Sequence, residues 1–103
     1  MLFHVIMTHT PDNCPGYWPP EKQAELYAQA DKILEADKEL KIKVHFMLSG
    51  APEHVNYALL EADDIIAVSN FVSGMPFKID TKVTPVAHLQ DFIAAQKAQL
   101  KQR

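Results

Sequence analysis

The pattern of apolar and polar positions along the chain predicts four strands and a long first helix. Residues 2–8 are densely apolar, which favours a central strand, and residues 42–48 alternate between apolar and polar side chains, which indicates a strand with one buried face. Residues 54–61 and 77–84 give the other two strands. Residues 21–38 consist mostly of strong helix formers without glycine or proline, so we expect a helix there.

Two further helices are predicted in the second half of the chain. Asp63 and Asp64 provide an N-cap ahead of a short amphipathic segment, which Gly74 ends. A last helix runs from about Val86 to Lys101 and carries its apolar residues on one side. The order β-α-β-β-α-β-α predicts an α+β fold: the ferredoxin-like split βαβ motif with an extra C-terminal helix. In that motif both helices cover one face of a four-stranded antiparallel sheet, whose strands lie in the order fourth, first, third, second.

The alternation along the second strand assigns its side chains to the two faces of the sheet. The residues expected to face the helices are Ile42, Val44, Phe46 and Leu48. The residues expected on the other, mixed face are Lys43, His45 and Met47. Because the chain has too few helices to cover both faces, we expect the mixed face to pack against a second copy.

In length and element order the chain resembles the dimeric α+β barrel superfamily, which includes small monooxygenases and muconolactone-isomerase-like proteins. The resemblance covers nearly the whole chain but is one of pattern, and no catalytic signature of those families is matched. It therefore implies an architecture and no residue roles. The implied architecture is a homodimer in which two sheets face each other, with small ligands bound in a cleft between sheet and helices.

Composition narrows the class of protein. The 103 residues fit one domain spanning 1–103, and 48% of them are hydrophobic, as in globular proteins. A formal net charge of −3 argues against a nucleic-acid partner. The apolar segment 1–7 is too short to span a bilayer and lacks the positive start of a signal peptide. With Cys14 as its single cysteine, the chain is expected to be cytoplasmic, with no membrane partner.

The loop over residues 8–20 contains the candidate catalytic groups. His9, with Asp12 three residues later, is the candidate general base, and Cys14 is a candidate nucleophile if a base such as His9 lowers its pKa. Tyr17 and Trp18, set among prolines, form either a stiff lid over a small apolar ligand or a plug at the end of the core. The sequence leaves these two alternatives open.

Two strand residues are further candidates for ligand contacts. Asn56 and Tyr57 point to opposite faces of the third strand, and the Tyr57 hydroxyl can donate a hydrogen bond into a cleft. His45 lies on the mixed face of the second strand. The chain has five histidines but no H-x-H, HExxH or CxxC spacing. No metal site and no cofactor are therefore predicted.

The function expected from these features is the binding of a small organic compound by a homodimer. If the chain is an enzyme, which the sequence leaves open, isomerisation and cofactor-independent oxygenation are the candidate reactions. This expectation rests mainly on the architecture, and an architecture hosts many functions. The alternatives are a non-catalytic regulatory or interaction module, and a metal-binding protein that uses His9, His45 or His54 across the dimer.

Overall fold

A computed structural model describes residues 1–35 and 41–102, with the backbone alone for 33–35. Its strands are β1 (Leu2–Thr8), β2 (Lys43–Gly50), β3 (Val55–Glu61) and β4 (Asp80–Val86). Its helices are α1 (Pro20–Glu35), α2 (Ile65–Ser73) and α3 (Leu89–Lys101). The predicted end of the first helix, 36–38, lies outside the described residues. Among the described helices, none combines the length and the apolar character needed to cross a bilayer.

The four strands form one antiparallel sheet in the order β2-β3-β1-β4. This is the predicted order of the ferredoxin-like motif, so the α+β fold with an additional C-terminal helix is confirmed. β1 lies between β3 and β4, in agreement with the high density of apolar residues along it. β4 lies at an edge of the sheet and pairs with β1 alone. Pro85, which has no backbone N–H, is tolerated on such a strand because an edge strand has a neighbour on one side only.

The core lies between the sheet and α2. Phe3, Val5 and Met7 alternate along β1 and point to this side, and each is at most 2% exposed. Val68 and Phe71, three residues apart on α2, pack into the same cluster. The predicted helix signals are confirmed. The Asp64 carboxylate accepts a hydrogen bond from the Ala67 amide at 2.9 Å, and the helix ends at Gly74.

The predicted faces of β2 are wrong beyond Val44, because a β-bulge lies between Val44 and Phe46. The bulge inserts one extra residue, His45, so every later side chain on the strand changes face. Met47 therefore packs against the core, whereas Phe46 and Leu48 lie on the face away from the helices. There they are 38% and 58% exposed.

The C-terminal helix α3 extends away from the rest of the chain. None of its residues is buried, and the molecule measures 62 Å along its longest axis and 18 Å along its shortest. β4 continues through Val86, so the helix begins at Leu89, three residues later than expected. Its exposed apolar residues recur at helical spacing: Leu89, Phe92, Ile93 and Leu100.

Candidate functional site

A cleft of about 510 Å³ opens at the end of the sheet where β1 and β2 end and β3 begins. It lies on the helix side, between the sheet, α1 and the 8–20 loop. Its apolar wall includes Leu26, Met47, Met75 and Phe77. Its polar groups include His9, Cys14, His54 and Asn56. An apolar space of this size with few polar groups is typical of a site for a small organic molecule.

A second depression, of about 350 Å³, lies at the opposite end of the sheet. Lys41, Lys43, Glu61 and Asp63 surround it, and it is shallow and open. A small organic molecule would remain largely hydrated there. The cleft near His9 is therefore the better candidate site.

The sheet register brings His9 and His54 together at this cleft. Thr8 and Val55 are the last paired residues of β1 and β3, and the next pair along the same register is His9 and His54. The His9 amide donates to the His54 carbonyl at 3.2 Å, which extends the ladder by one bond. His54 has a left-handed backbone with φ 57°, a conformation in which histidine is several-fold enriched. This turn directs its ring to His9.

The two imidazoles are joined by a hydrogen bond. His54 Nδ1 and His9 Nε2 are 3.2 Å apart, and the rings meet edge to face. Burial lowers the pKa of His9 from its ordinary value, and the neighbouring His54 lowers it further. His9 Nδ1 is buried and has no hydrogen-bond partner among the described residues. His9 is therefore neutral near pH 7, and one of the two rings donates its N–H to the other.

Cys14 reaches the same point from the 8–20 loop. It lies between two short 3-10 turns, Pro11–Asn13 and Pro15–Tyr17, and its amide donates to the Pro11 carbonyl at 3.1 Å. The thiol is free and half-buried. The ligand atoms of Cys14, His9 and His54 all lie within 4.8 Å of one another, which is a spacing that one metal ion can bridge.

Gln23 of α1 fixes the loop that carries Cys14. Its side-chain nitrogen Nε2 lies 3.0 Å from the carbonyl oxygens of Pro15 and Gly16 and 3.1 Å from that of Trp18. The two N–H groups of this amide are shared among the three loop carbonyls, and the carbonyl of Pro15 also accepts from the Trp18 amide. The loop is thereby held against the first turn of α1, at a defined distance from the sheet.

Aromatic rings continue the site away from the histidine pair. Phe77 meets His9 edge to face, with 5.4 Å between ring centroids, and Trp18 meets Phe77 at 6.3 Å. Phe77 lines the cleft, whereas Trp18 contacts Phe77 from outside the cleft lining. The segment 75–77 forms this wall, so β4 begins at Asp80 and not at residue 77 as predicted.

The predicted site residues on the loop are separated by the fold. His9 and Cys14 line the cleft. Asp12 is exposed and lies outside the cleft lining. Tyr17 is 75% exposed, so it is neither a buried plug nor part of the cleft wall, and Trp18 contacts Phe77 without lining the cleft itself.

The predicted strand contacts lie on the other face of the sheet. The Tyr57 ring is 6.4 Å from the ring of His4, away from the helices. His45, in the bulge, lies 3.1 Å from Glu61, and this hydrogen bond lowers the pKa of Glu61. Asn56, the neighbour of Tyr57, reaches the cleft instead.

His54, Asn56 and Phe77 are cleft residues that the sequence did not single out as site partners of His9. The register of β1 against β3 carries the signal for His54, because two strands that pair up to Thr8 and Val55 place residues 9 and 54 opposite each other. For Asn56 the indication in the sequence is weaker: the alternation of side chains along the strand shows that Asn56 and Tyr57 lie on opposite faces, but not which of them faces the helices. No pattern in the sequence identifies Phe77.

No known protein-family model matches the chain, and no curated protein matches it. Among solved structures it is similar to the crystal structure of muconolactone isomerase, with 22% sequence identity and a TM-score of 0.62. The match covers 85% of this chain and 90% of that one. At this level of identity the likeness shows a common fold. The fold alone assigns no reaction to the cleft.

Proposed function

We propose that the cleft binds a small, largely apolar organic compound and that the His9–His54 pair moves a proton on it, as in an isomerase. The observation that supports this most directly is the hydrogen-bonded imidazole pair within an apolar cleft of about 510 Å³. A neutral imidazole is the most common general base of enzymes near neutral pH. The fold shared with muconolactone isomerase is consistent with this class of reaction, as an analogy.

The proposed chemistry is transfer of one proton between two carbons of the substrate. An imidazole of the pair takes a proton from a carbon next to a carbonyl, and the electron pair of that C–H bond moves towards the carbonyl oxygen. The Asn56 amide, which lines the cleft, can donate a hydrogen bond to that oxygen. The imidazolium then returns its proton to another carbon, and the second imidazole shares the positive charge meanwhile.

Solvent hydrogen exchange tests this proposal without knowledge of the natural substrate. The protein is incubated in D₂O, with chelator present, together with a panel of small unsaturated lactones and ketones, and deuterium incorporation is followed by NMR. We expect catalysed exchange for at least one compound. His9→Asn should abolish it, whereas His45→Asn, a matched change outside the cleft, should leave it intact. Equal rates with the wild-type protein and His9→Asn, or no exchange across the panel, would contradict the proposal.

We also propose that the chain works as a homodimer. Leu48 and Phe46 on the uncovered sheet face are partly exposed, and so is the apolar stripe of α3. An isolated helix of 13 residues is marginal in water, so α3 needs a surface on which to pack. A second copy supplies one in the uncovered face of its sheet. Sedimentation velocity at micromolar concentration tests this, and a stable monomer would refute it.

A reducing compartment such as the cytoplasm suits the site. Cys14 is a free, half-buried thiol at the cleft, and oxidation would place a charged group among apolar side chains. Localisation of a tagged chain in fractionated cells tests this, and its recovery outside the cytoplasm would contradict it.

A further inference from the structure

We propose that His9 Nε2, His54 Nδ1 and Cys14 Sγ bind one thiophilic divalent cation per chain, with Zn²⁺ as the best match. One ring nitrogen of each histidine and the Cys14 Sγ lie within 4.8 Å of one another, and His9 Nε2 and His54 Nδ1 are the two nitrogens that face each other. Imidazole nitrogen and cysteine sulfur are the donors that Zn²⁺ prefers in proteins. No motif spacing in the sequence indicates this site, because its residues come from two separate segments, the 8–20 loop and the turn before β3.

The two nitrogens already have the spacing of coordinated ligands. They are 3.2 Å apart. Two Zn–N bonds of about 2.0–2.1 Å at a tetrahedral angle hold their nitrogens about 3.3–3.4 Å apart. An ion can therefore replace the hydrogen bond between the rings with little change in the separation of the two nitrogens, while each imidazole turns to point its electron pair at the ion.

The cysteine requires a small adjustment. A coordinated sulfur and nitrogen are about 3.6 Å apart, from Zn–S and Zn–N bonds of about 2.3 and 2.0 Å. The Sγ atom, at most 4.8 Å from the ligand nitrogen of either histidine, has to approach by about 1.2 Å or less. Cys14 lies between two short turns, so a change of its side-chain torsion provides that movement while Gln23 holds the loop.

Three protein ligands leave the fourth tetrahedral position open. The cleft beside the cluster gives space there for water or for an oxygen of an organic ligand. The thioethers of Met47 and Met75 line the same cleft and add soft donors to its surroundings. A harder cation such as Mg²⁺ finds no carboxylate among the described groups of this cluster.

This inference concerns the site of the proposed proton transfer and adds its regulation. An ion bound to His9 Nε2 and His54 Nδ1 takes the electron pairs that a base needs, so the metal-bound protein cannot exchange the substrate proton through this pair. Zn²⁺ is therefore expected to inhibit the exchange reaction. Metal binding itself requires no organic ligand, so the two proposals can fail separately.

Cobalt substitution tests the site directly. The full chain is stripped of metal with chelator under reducing conditions and titrated with Co²⁺ without oxygen. We expect one Co²⁺ per chain, with the sulfur-to-cobalt charge-transfer band and the intense visible bands of a four-coordinate ion. One equivalent of Zn²⁺ should remove these bands. Mass spectrometry of the native protein should then find one Zn²⁺ per chain.

Matched variants distinguish this site from casual binding to histidines. Cys14→Ser should lose the charge-transfer band, and His54→Ala should lower the affinity for Co²⁺ at least 10-fold. His45→Ala, which removes a histidine outside the cleft, should bind as the wild-type protein does. Circular dichroism checks that each variant is folded. Absence of the sulfur band in the wild-type protein, its survival in folded Cys14→Ser, or equal affinity in folded His54→Ala would overturn the inference.

Discussion

Replacing Phe92 by alanine tests whether the exposed stripe of α3 packs against a second copy. Phe92 lies in the middle of the stripe and is 54% exposed in the single chain. Full burial of a large apolar side chain contributes about 1.5–3 kcal/mol, so burial of the exposed share of Phe92 contributes about 1–1.5 kcal/mol. A symmetric dimer loses this twice. The variant should therefore weaken the dimer by about 2–3 kcal/mol, which raises the dissociation constant about 30- to 150-fold.

The assay is sedimentation equilibrium of labelled protein over a dilution series, with far-UV circular dichroism at the same concentrations. Helix content should fall together with dissociation, because an undocked helix of this length is marginal. Gln90→Ala is the matched control, since Gln90 lies about 160° around the helix from Phe92. The reasoning is refuted if the wild-type chain is monomeric with α3 intact, or if Phe92→Ala and Gln90→Ala dissociate at the same concentration.

Three further predictions concern the loop, the histidine pair and the core. Gln23→Ala should lower the free energy of unfolding by about 1–3 kcal/mol because the carbonyls of Gly16 and Trp18 lose their side-chain donor, whereas that of Pro15 keeps the Trp18 amide. Gln23→Glu should be worse at neutral pH, since it sets a carboxylate against those oxygens, and urea denaturation that ranks the two variants the other way would contradict this. Because the pKa of His9 is lowered from 6.5 in the folded chain, the unfolded chain binds the extra proton as pH falls. The contribution of His9 to the free energy of unfolding should be fully present above pH 6.5. It should decrease as the pH falls, by at most about 1.4 kcal/mol per pH unit, until the pH lies below the pKa of His9 in the folded chain. In metal-free protein His9→Asn should remove that contribution, and an unchanged slope would show that His9 is not its source. Phe71→Ala should cost about 3–5 kcal/mol, because Phe71 is 1% exposed within the core, whereas Asn70→Ala, on the exposed side of α2, should cost under about 1 kcal/mol by thermal or urea unfolding.

The element order was predictable because each element has its own local signal. The cap at Asp64 and the stop at Gly74 delimit α2 within a few residues, and both act over one helical turn. The strand order followed from the connections, since few topologies satisfy the handedness of the crossovers. These features depend on neighbours along the chain.

The bulge at His45 shows where local pattern fails. Residues 42–48 alternate without interruption, so nothing in the sequence indicates that the strand gains one residue against β3. The bulge exchanges the faces of Phe46 and Met47 and so moves one thioether into the cleft and one aromatic ring onto the uncovered face. Pairing with β3 decides this, because a register is a property of two strands.

The candidate site was likewise predictable only in part from the sequence. His9 and Cys14 were foreseen from a loop rich in reactive side chains, but their partner His54 was not assigned to them. Its place beside His9 depends on the β1–β3 register and on a left-handed residue at the start of β3. Tyr57 was chosen over Asn56 for its hydroxyl group, yet the register turns Asn56 to the cleft.

By itself the sequence determined the elements, their order and the α+β fold, because hydrophobic periodicity, caps and turn residues act over a few positions. Only the tertiary structure decided which side chains meet. The pairing of β1 with β3 joined His9 to His54, and the contacts of Gln23 held Cys14 within reach of both. The physical reason is range: a helix or strand is specified by its own residues, whereas a site is specified by distances between segments that the chain alone leaves free.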